Sequence, residues 1–122
     1  MILKRKKRAR AGIRKEPRIR CPGHLAYVRL HTCAVQGIGC DDKIEAAHVR
    51  MGTDGALGIK PSDCYAVPLC TGAHIPLQHR IGEAEFERRY GIDMKALAAQ
   101  LWQRSPHRLK YERRIIGERA NG

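Results

Sequence analysis

The stretch "IEAAHVRMGTDGALGIKPSDCYAVPLCTGAHIPLQH", residues 44–79, decides the fold that this chain can adopt. Turn residues, "GIGCDD" at 37–42, precede it, and the residues that follow them are typical of a strand. Because side chains alternate between the two faces of a strand, three of them are predicted to share one face: Ile44, Ala46 and His48.

A glycine-rich and proline-containing loop at 51–63 follows this strand and is longer than a tight hairpin needs. The segment "CYAVPL", residues 64–69, is predicted to be a second short strand that Pro68 stops. The two strands would form an antiparallel pair, which is too small to be stable alone. Other parts of the chain must therefore pack on it.

The sequence after the second strand is helical in pattern. Helix is predicted from about Pro76 to a stop at Gly91, and a second helix is predicted to follow a cap at Asp93. Residues 24–33 could be strand or helix, since periodicity does not decide between them. The polar C-terminal residues have some helical tendency. One stripe of the second helix is assigned to the core: Ile92, Leu97, Leu101 and Trp102.

The composition favours a polyanionic partner. The chain has 122 residues, enough for one domain, and its 24 Lys and Arg against 12 Asp and Glu give a formal charge of +12. Residues 1–20 contain ten basic residues and one acid, so we predict a disordered basic arm that binds nucleic-acid phosphates. The expected contacts are Lys4, Arg5, Lys6, Lys7, Arg8 and Arg10.

The chain is expected to be cytosolic. No stretch approaches the roughly 18 apolar residues of a membrane span, and no apolar signal-peptide core follows the basic N-terminus. Five cysteines in a reducing compartment indicate metal ligands or buried thiols more than disulfides. Two of them are predicted to be plain thiols, Cys21 and Cys64, and two histidines near the cysteines are predicted to be hydrogen-bonded structural residues, His24 and His31.

The histidines of residues 44–79 suit phosphodiester hydrolysis. That reaction near neutral pH needs a base to take a proton from water and a cation to stabilise the developing charge. Histidine suits the first task because its ordinary pKa lies near 6.5. A strand-borne His48, a hairpin return and a helix start with His74 and His79 would bring three imidazoles to one side.

Several segments resemble the HNH nucleases of the ββα-metal class, in particular the phage and prophage branch that includes recombination-enhancement nucleases. The segments are "IEAAHVR", "GIKPSDCYAVPLC", "HIPLQHRIGEAEF" and "RRYGID", with "CPGHLAYVRLHTC" upstream and "RSPHR" downstream. The resemblance implies an α+β fold with a ββα-metal core at 21–108, between the arm at 1–20 and a basic tail at 109–122. It also implies a phage- or prophage-encoded DNA endonuclease in a bacterial cytoplasm, with a recombination filament protein as a potential partner.

The resemblance assigns roles to individual residues. His48 matches the general base, and the catalytic Mg²⁺ or Mn²⁺ would be held by His79 with His74 or Asp63. An imidazole-rich site would also bind Zn²⁺ or Ni²⁺. Arg50 and Lys60, close to this site in sequence, are predicted to hold a substrate phosphate.

The chain departs from the family pattern at three points. Ala47 stands where a metal-binding Asp or His is usual, and Ala73 stands where a second Cys or His belongs. Four residues, not three, separate His74 from His79, so both could bind one metal only if the helix begins after Pro76.

A structural zinc site is a second possibility, and it would use Cys33, Cys40 and Cys70, with His74 as a fourth ligand. Two further hypotheses follow from these features. One is a nonenzymatic, zinc-stapled nucleic-acid-binding module, which is what a degenerate nuclease would look like. The other is a small ribosome-type RNA-binding protein.

Overall fold

The structure, a computed structural model, describes residues 17–121, with side chains described as far as Gly117. The six predicted phosphate contacts of the basic arm lie outside the described residues: Lys4, Arg5, Lys6, Lys7, Arg8 and Arg10. The last residues of the predicted arm, 17–20, are described, and two of their arginines bond to the loop between the strands.

The described part of the chain is mixed α+β, as the sequence predicted, with five α-helices and one two-stranded antiparallel sheet. No helix within residues 17–121 is long and apolar enough to cross a membrane. A short 3₁₀ turn, Asp63–Tyr65, precedes the second strand. In chain order the main elements are α1 (Pro22–Arg29), β1 (Ile44–His48), β2 (Ala66–Cys70), α2 (His74–Ile81), α3 (Glu83–Tyr90), α4 (Met94–Arg104) and α5 (Pro106–Asn121).

The register of the sheet fixes the positions of both candidate sites. Ile44 pairs with Cys70 at one end of the hairpin, and His48 pairs with Ala66 at the other. The pairs lie four residues apart along each strand, which corresponds to about 13 Å. We call these the cysteine end and the His48 end.

The prediction that Pro68 stops the second strand is wrong, because Pro68 lies inside β2 and pairs with Ala46. Its carbonyl accepts a hydrogen bond from the backbone N–H of Ala34, on the side away from β1. At this position the missing N–H of proline would also point away from β1, so the ladder between the strands loses no donor.

The predicted helix from Pro76 to Gly91 is two helices. Gly82 separates α2 from α3 with φ 86° and ψ 158°, a conformation that residues other than glycine rarely adopt. The predicted stop at Gly91 is confirmed by its left-handed conformation. The predicted cap is also confirmed, since the Asp93 side chain accepts a hydrogen bond from the N–H of Ala96. Residues 22–29 are helical, and the helical tendency of the C-terminal residues is realised in α5, which runs across the predicted domain end at 108.

The core packs on both faces of the sheet. Every residue of β2 is buried, and α1 packs on both strands while α4 packs on β2. Phe86 of α3 and Met94 of α4 are fully buried beside Val67 and Leu69. Helices thus supply the cover that a two-stranded sheet lacks, and they hold the hairpin as a rigid platform for the side chains at its two ends.

Candidate functional site

Four potential metal ligands converge at the cysteine end of the hairpin. Their ligand atoms all lie within 4.8 Å of one another, and three of the four residues are buried. The His74 Nδ1 atom is 3.1 Å from the Sγ atom of Cys33 and 3.1 Å from that of Cys70. We call this group the Cys3His cluster, and it consists of Cys33, Cys40, Cys70 and His74.

The donor set of the Cys3His cluster suits a metal ion. Three thiols and one imidazole form a set that structural zinc sites use, and the crowding of the four atoms is compatible with a shared tetrahedral centre. Burial and the neighbouring Cys70 and Cys33 sulfurs raise the pKa of Cys40 to about 12. Burial also raises the pKa of Cys70, but backbone N–H groups of His74 and Ala73 outweigh it and lower that pKa overall. The cluster could hold a metal ion, which would displace the proton that Cys40 otherwise keeps at neutral pH, while the lowered pKa of Cys70 already favours its thiolate.

The position of His74 follows from the start of α2. The predicted helix start at about Pro76 is wrong because α2 begins at His74 itself, so the condition under which His74 and His79 could bind one metal is not met. Pro76 is tolerated in the first turn, where an N–H has no intrahelical partner. The N–H of His74 instead approaches the Cys70 sulfur at 3.3 Å, and its buried ring faces the cysteines.

A histidine–carboxylate pair occupies the His48 end of the hairpin. The Nε2 atom of His48 lies 2.8 Å from Oδ1 of Asp63, the first residue of the 3₁₀ turn before β2. The Asp63 side chain is 3% exposed, whereas that of His48 keeps 13% of its surface exposed. The pair is therefore anchored on the carboxylate side and open to solvent on the imidazole side.

The residues just before α1 hold Asp63 in place. The backbone N–H of Cys21 donates to its Oδ2 atom at 2.7 Å, and the Arg20 guanidinium lies 3.5 Å from Oδ1. The backbone N–H of Asp63 in turn donates to the carbonyl of Ile19 at 2.9 Å. Sequence reasoning missed this support, because residues 19–20 were assigned to the arm and no local pattern links them to a residue more than forty positions later.

The loop between the strands is tied together by a second aspartate. Asp54 accepts hydrogen bonds from the N–H and the hydroxyl of Ser62, while Arg18 donates to the Asp54 carbonyl at 2.6 Å. Burial raises the pKa of Asp54, but the Ser62 hydrogen bonds and the Arg18 guanidinium outweigh it and hold the pKa below its ordinary value. Asp54 thus keeps the loop closed as an ionised side chain.

The two predicted phosphate contacts of the loop differ in their surroundings. The Arg50 guanidinium donates to the carbonyl of Ala56 at 2.6 Å and so braces the loop. Lys60 is exposed, and its carbonyl accepts a hydrogen bond from Arg20 at 2.7 Å. Both residues are exposed, so either can still reach a phosphate from the loop.

Helix α2 leads from the cysteine end back toward the His48 end. Glu83, at the start of α3, accepts hydrogen bonds from the backbone N–H groups of Arg50 and Met51, just beyond His48. His79 is exposed on α2 along this path. The described residues contain one group of three or more metal-ligating side chains, the Cys3His cluster, so His79 and Asp63 do not form a second preassembled group with His74.

The outcomes for the remaining cysteines and histidines are mixed. Cys21 and Cys64 are free thiols outside the cluster, and burial raises the pKa of Cys64 to about 11. His31 bonds to the Tyr27 carbonyl, as predicted for a structural histidine. The same prediction is wrong for His24, whose ring is fully buried with neither nitrogen hydrogen-bonded. The His24 ring instead packs edge-on against Trp102 of α4.

Comparison with known families gives one match, to a family described as "Protein of unknown function (DUF968)", over residues 11–106. No curated protein and no solved structure matches the chain. The matched residues include both ends of the hairpin, the Cys3His cluster and the His48–Asp63 pair.

Proposed function

Because the chain belongs to the DUF968 family, whose description names no activity, we propose a function from the site itself: a divalent-metal-dependent DNA endonuclease of the ββα-metal (HNH) type. The observation that carries the proposal is the hydrogen-bonded pair of His48 and Asp63 at the open end of the hairpin. The order β1, β2, α2 around this pair is compatible with a ββα core.

The pair supports His48 as the general base. An ionised carboxylate only accepts hydrogen bonds, so the Nε2 atom of His48 carries the proton that faces Asp63. The Nδ1 atom then keeps its lone pair and can accept a proton from water. Asp63 acts as a positioning residue, since it fixes the tautomer and the orientation of the His48 ring. The Cys21 N–H and the Arg20 guanidinium in turn hold the Asp63 carboxylate in place.

Two metals have different places in this proposal. Zn²⁺ would bind the Cys3His cluster and join the connection between α1 and β1 to β2 and α2, which fixes the hairpin in the fold. The working Mg²⁺ or Mn²⁺ would supply charge stabilisation for the leaving oxygen. His79 is the residue of this chain that we propose for it, because His74 faces the cysteines and both oxygens of Asp63 already accept hydrogen bonds.

The proposed substrate is DNA, in keeping with the formal charge of +12. A phage or prophage origin, a bacterial cytoplasmic location and a recombination filament protein as partner remain predictions from the HNH resemblance. These predictions concern the cell and the partner protein, and the chemistry proposed for His48 does not depend on them.

A second candidate is a zinc-stapled nucleic-acid-binding module without catalysis. It is favoured by the finding that residues 17–121 contain one potential metal group, which is of structural type and lies at the opposite end of the hairpin from His48. Ala47, where the family usually has a metal ligand, points the same way. This candidate would use the basic residues and the fold, and the His48–Asp63 pair would only stabilise the loop.

The test is cleavage of supercoiled plasmid and single-stranded circular DNA by zinc-loaded protein, with and without added Mg²⁺ or Mn²⁺. His48→Ala is compared with His31→Ala, a histidine variant outside the pair. Metal-dependent nicking that only His48→Ala abolishes, with DNA binding retained, is the expected result. Equal cutting by His48→Ala overturns the role of His48, and intact DNA in every lane with a clear gel shift favours the binding module.

A further inference from the structure

A cavity of about 240 Å³ lies between the start of α1 and one face of α5, outside both candidate sites. None of the residues that line it is acidic, and three of them are arginine or lysine. We call it the α1–α5 pocket and define it by Arg20, Gly23, His107, Lys110 and Arg114.

The walls of the α1–α5 pocket are held in place by specific contacts. The His107 ring packs so closely on α1 that a Cβ atom at Gly23 would lie 2.5 Å from its Nδ1 atom. The Arg114 guanidinium lies over the Tyr111 ring, 5.3 Å from the ring centre. Lys110, one turn before Arg114 on the same face of α5, is exposed. Two cations, Lys110 and Arg114, therefore line the pocket from one face of α5, whereas the guanidinium of the third lining cation, Arg20, is paired with Asp63.

The pocket is physically joined to the proposed catalytic pair. Arg20 lines the pocket and donates to the carbonyls of Pro61 and Lys60, at 2.5 and 2.7 Å, while its guanidinium lies 3.5 Å from Asp63. The next residue, Cys21, also lines the pocket and donates its N–H to Asp63. A ligand in the pocket would thus rest on the same two residues that position the acceptor of His48.

We propose that the α1–α5 pocket binds a phosphate of the DNA backbone and sets the position of the strand relative to His48. The inference rests on the proposed DNA substrate. Two cations on one helix face, beside a pocket with no lining carboxylate, suit a phosphodiester, and arginine and lysine are the side chains that most often contact backbone phosphates. The pocket and His48 are linked through two contacts, since Cys21 lines the pocket and donates to the Asp63 carboxylate that His48 touches, so a phosphate held in the pocket is placed relative to His48.

The test measures DNA affinity against salt in a His48→Ala background, so that cleavage does not interfere. The pocket variant is Lys110→Gln with Arg114→Gln. The control variant is Lys43→Gln with Arg113→Gln, which removes the same charge from exposed residues that do not line the pocket. The probe is a fluorescein-labelled DNA duplex, with zinc-loaded protein and no added Mg²⁺, and thermal unfolding verifies that both variants are folded.

The pocket variant is expected to bind roughly tenfold more weakly or worse near 0.1 M salt, with a salt slope shallower by about one, because each phosphate that the protein neutralises contributes about 0.9 to the slope. The control variant is expected to change the slope by well under one. Equal losses in the two variants overturn the pocket. If α5 tolerates Arg114→Gln poorly, Lys110→Gln against Arg113→Gln gives the same comparison with one charge each.

The outcome for the pocket is separable from that for the nuclease. Wild-type protein that leaves plasmid intact, while the pocket variant alone loses affinity, overturns the endonuclease and keeps the phosphate site. Metal-dependent cleavage by wild-type protein, with identical binding by pocket and control variants, keeps the endonuclease and overturns the phosphate site.

Discussion

His48 and Asp63, fifteen residues apart in the chain, form a 2.8 Å contact between Nε2 and Oδ1 where the two strands of the hairpin begin to diverge. Among the residues that the structure describes, three donors contact the Asp63 carboxylate: the His48 ring, the Cys21 N–H and the Arg20 guanidinium. The carboxylate therefore both orients the imidazole and links the hairpin to the start of α1. Removing the carboxylate should therefore lower both the cleavage rate and the free energy of unfolding.

Asp63→Asn tests this dual role. The asparagine NH2 group would face a donor on one side, so we expect a loss of about 1–3 kcal/mol in the free energy of unfolding. If His48 is the base, cleavage should fall by about 100-fold or more with a changed pH profile, since the tautomer is no longer fixed. Chemical denaturation and plasmid nicking measure the two effects.

The matched control is Asp42→Asn, which removes the same charge from an exposed carboxylate. It should leave both quantities nearly unchanged. A cleavage rate for Asp63→Asn equal to that of Asp42→Asn would contradict the positioning role.

The Cys3His cluster predicts a metal content of one zinc per chain. Cys33→Ser replaces a ligand thiolate and should abolish stoichiometric zinc and lower the melting temperature, because metal binding contributes directly to folding. Cys64→Ser is the control, because Cys64 lies outside the cluster and remains a thiol at neutral pH. Elemental analysis and thermal unfolding, before and after treatment with a chelator, check both variants.

A result in which Cys33→Ser and Cys64→Ser hold equal amounts of zinc would remove the cluster as the metal site. A chelator that leaves the melting temperature of wild-type protein unchanged would show that any bound metal does not stabilise the fold.

His24 should make the stability of the protein fall in mild acid. Burial, with a smaller contribution from His107, lowers the pKa of His24 from 6.5 to about 4. The unfolded chain therefore binds a proton that the folded chain refuses between pH 6.5 and 4. Above this window both states are neutral at His24 and the free energy of unfolding is unaffected. As the pH falls through the window, the free energy of unfolding decreases by up to about 3 kcal/mol.

His24→Leu keeps a similar volume and removes both unpaired ring nitrogens. The difference in unfolding free energy between wild type and variant should shift in favour of the variant as the pH falls from 7 to 4. Urea denaturation at several pH values measures this difference. Any loss of stability from zinc release affects both proteins equally, so it does not contribute to the difference. A difference that is flat across the window would exclude His24 as the source.

Gly82 and Gly91 provide a paired test of the helix breaks. Gly91 has φ 62° and ψ 38°, a left-handed conformation that asparagine tolerates, whereas Gly82 has φ 86° and ψ 158°, which is essentially restricted to glycine. Gly82→Asn should therefore cost about 1–3 kcal/mol in the free energy of unfolding, and Gly91→Asn should cost less than about 1 kcal/mol. Chemical denaturation measures both, and equal costs would contradict the separation of α2 from α3 at Gly82.

Local signals carried much of the prediction. The strand at Ile44, the stop at Gly91 and the cap at Asp93 each depend on one residue and its immediate neighbours, and the structure has all three. Pro68 shows the limit of such signals. Whether a proline ends a strand depends on which side of the strand its nitrogen faces, and that is a property of the pairing register.

The sequence by itself determined the α+β class and the hairpin, because residue type and short-range spacing encode helix ends, turns and strands. For the metal ligands it left two assignments of His74 open, one with the cysteines and one with His79. Only the tertiary structure decided that His74 faces the cysteines at one end while Asp63 pairs with His48 at the other. It also decided that residues 19–21 support Asp63. These pairings join positions far apart in the chain, so they follow from strand register and helix packing, which no local period of the sequence records.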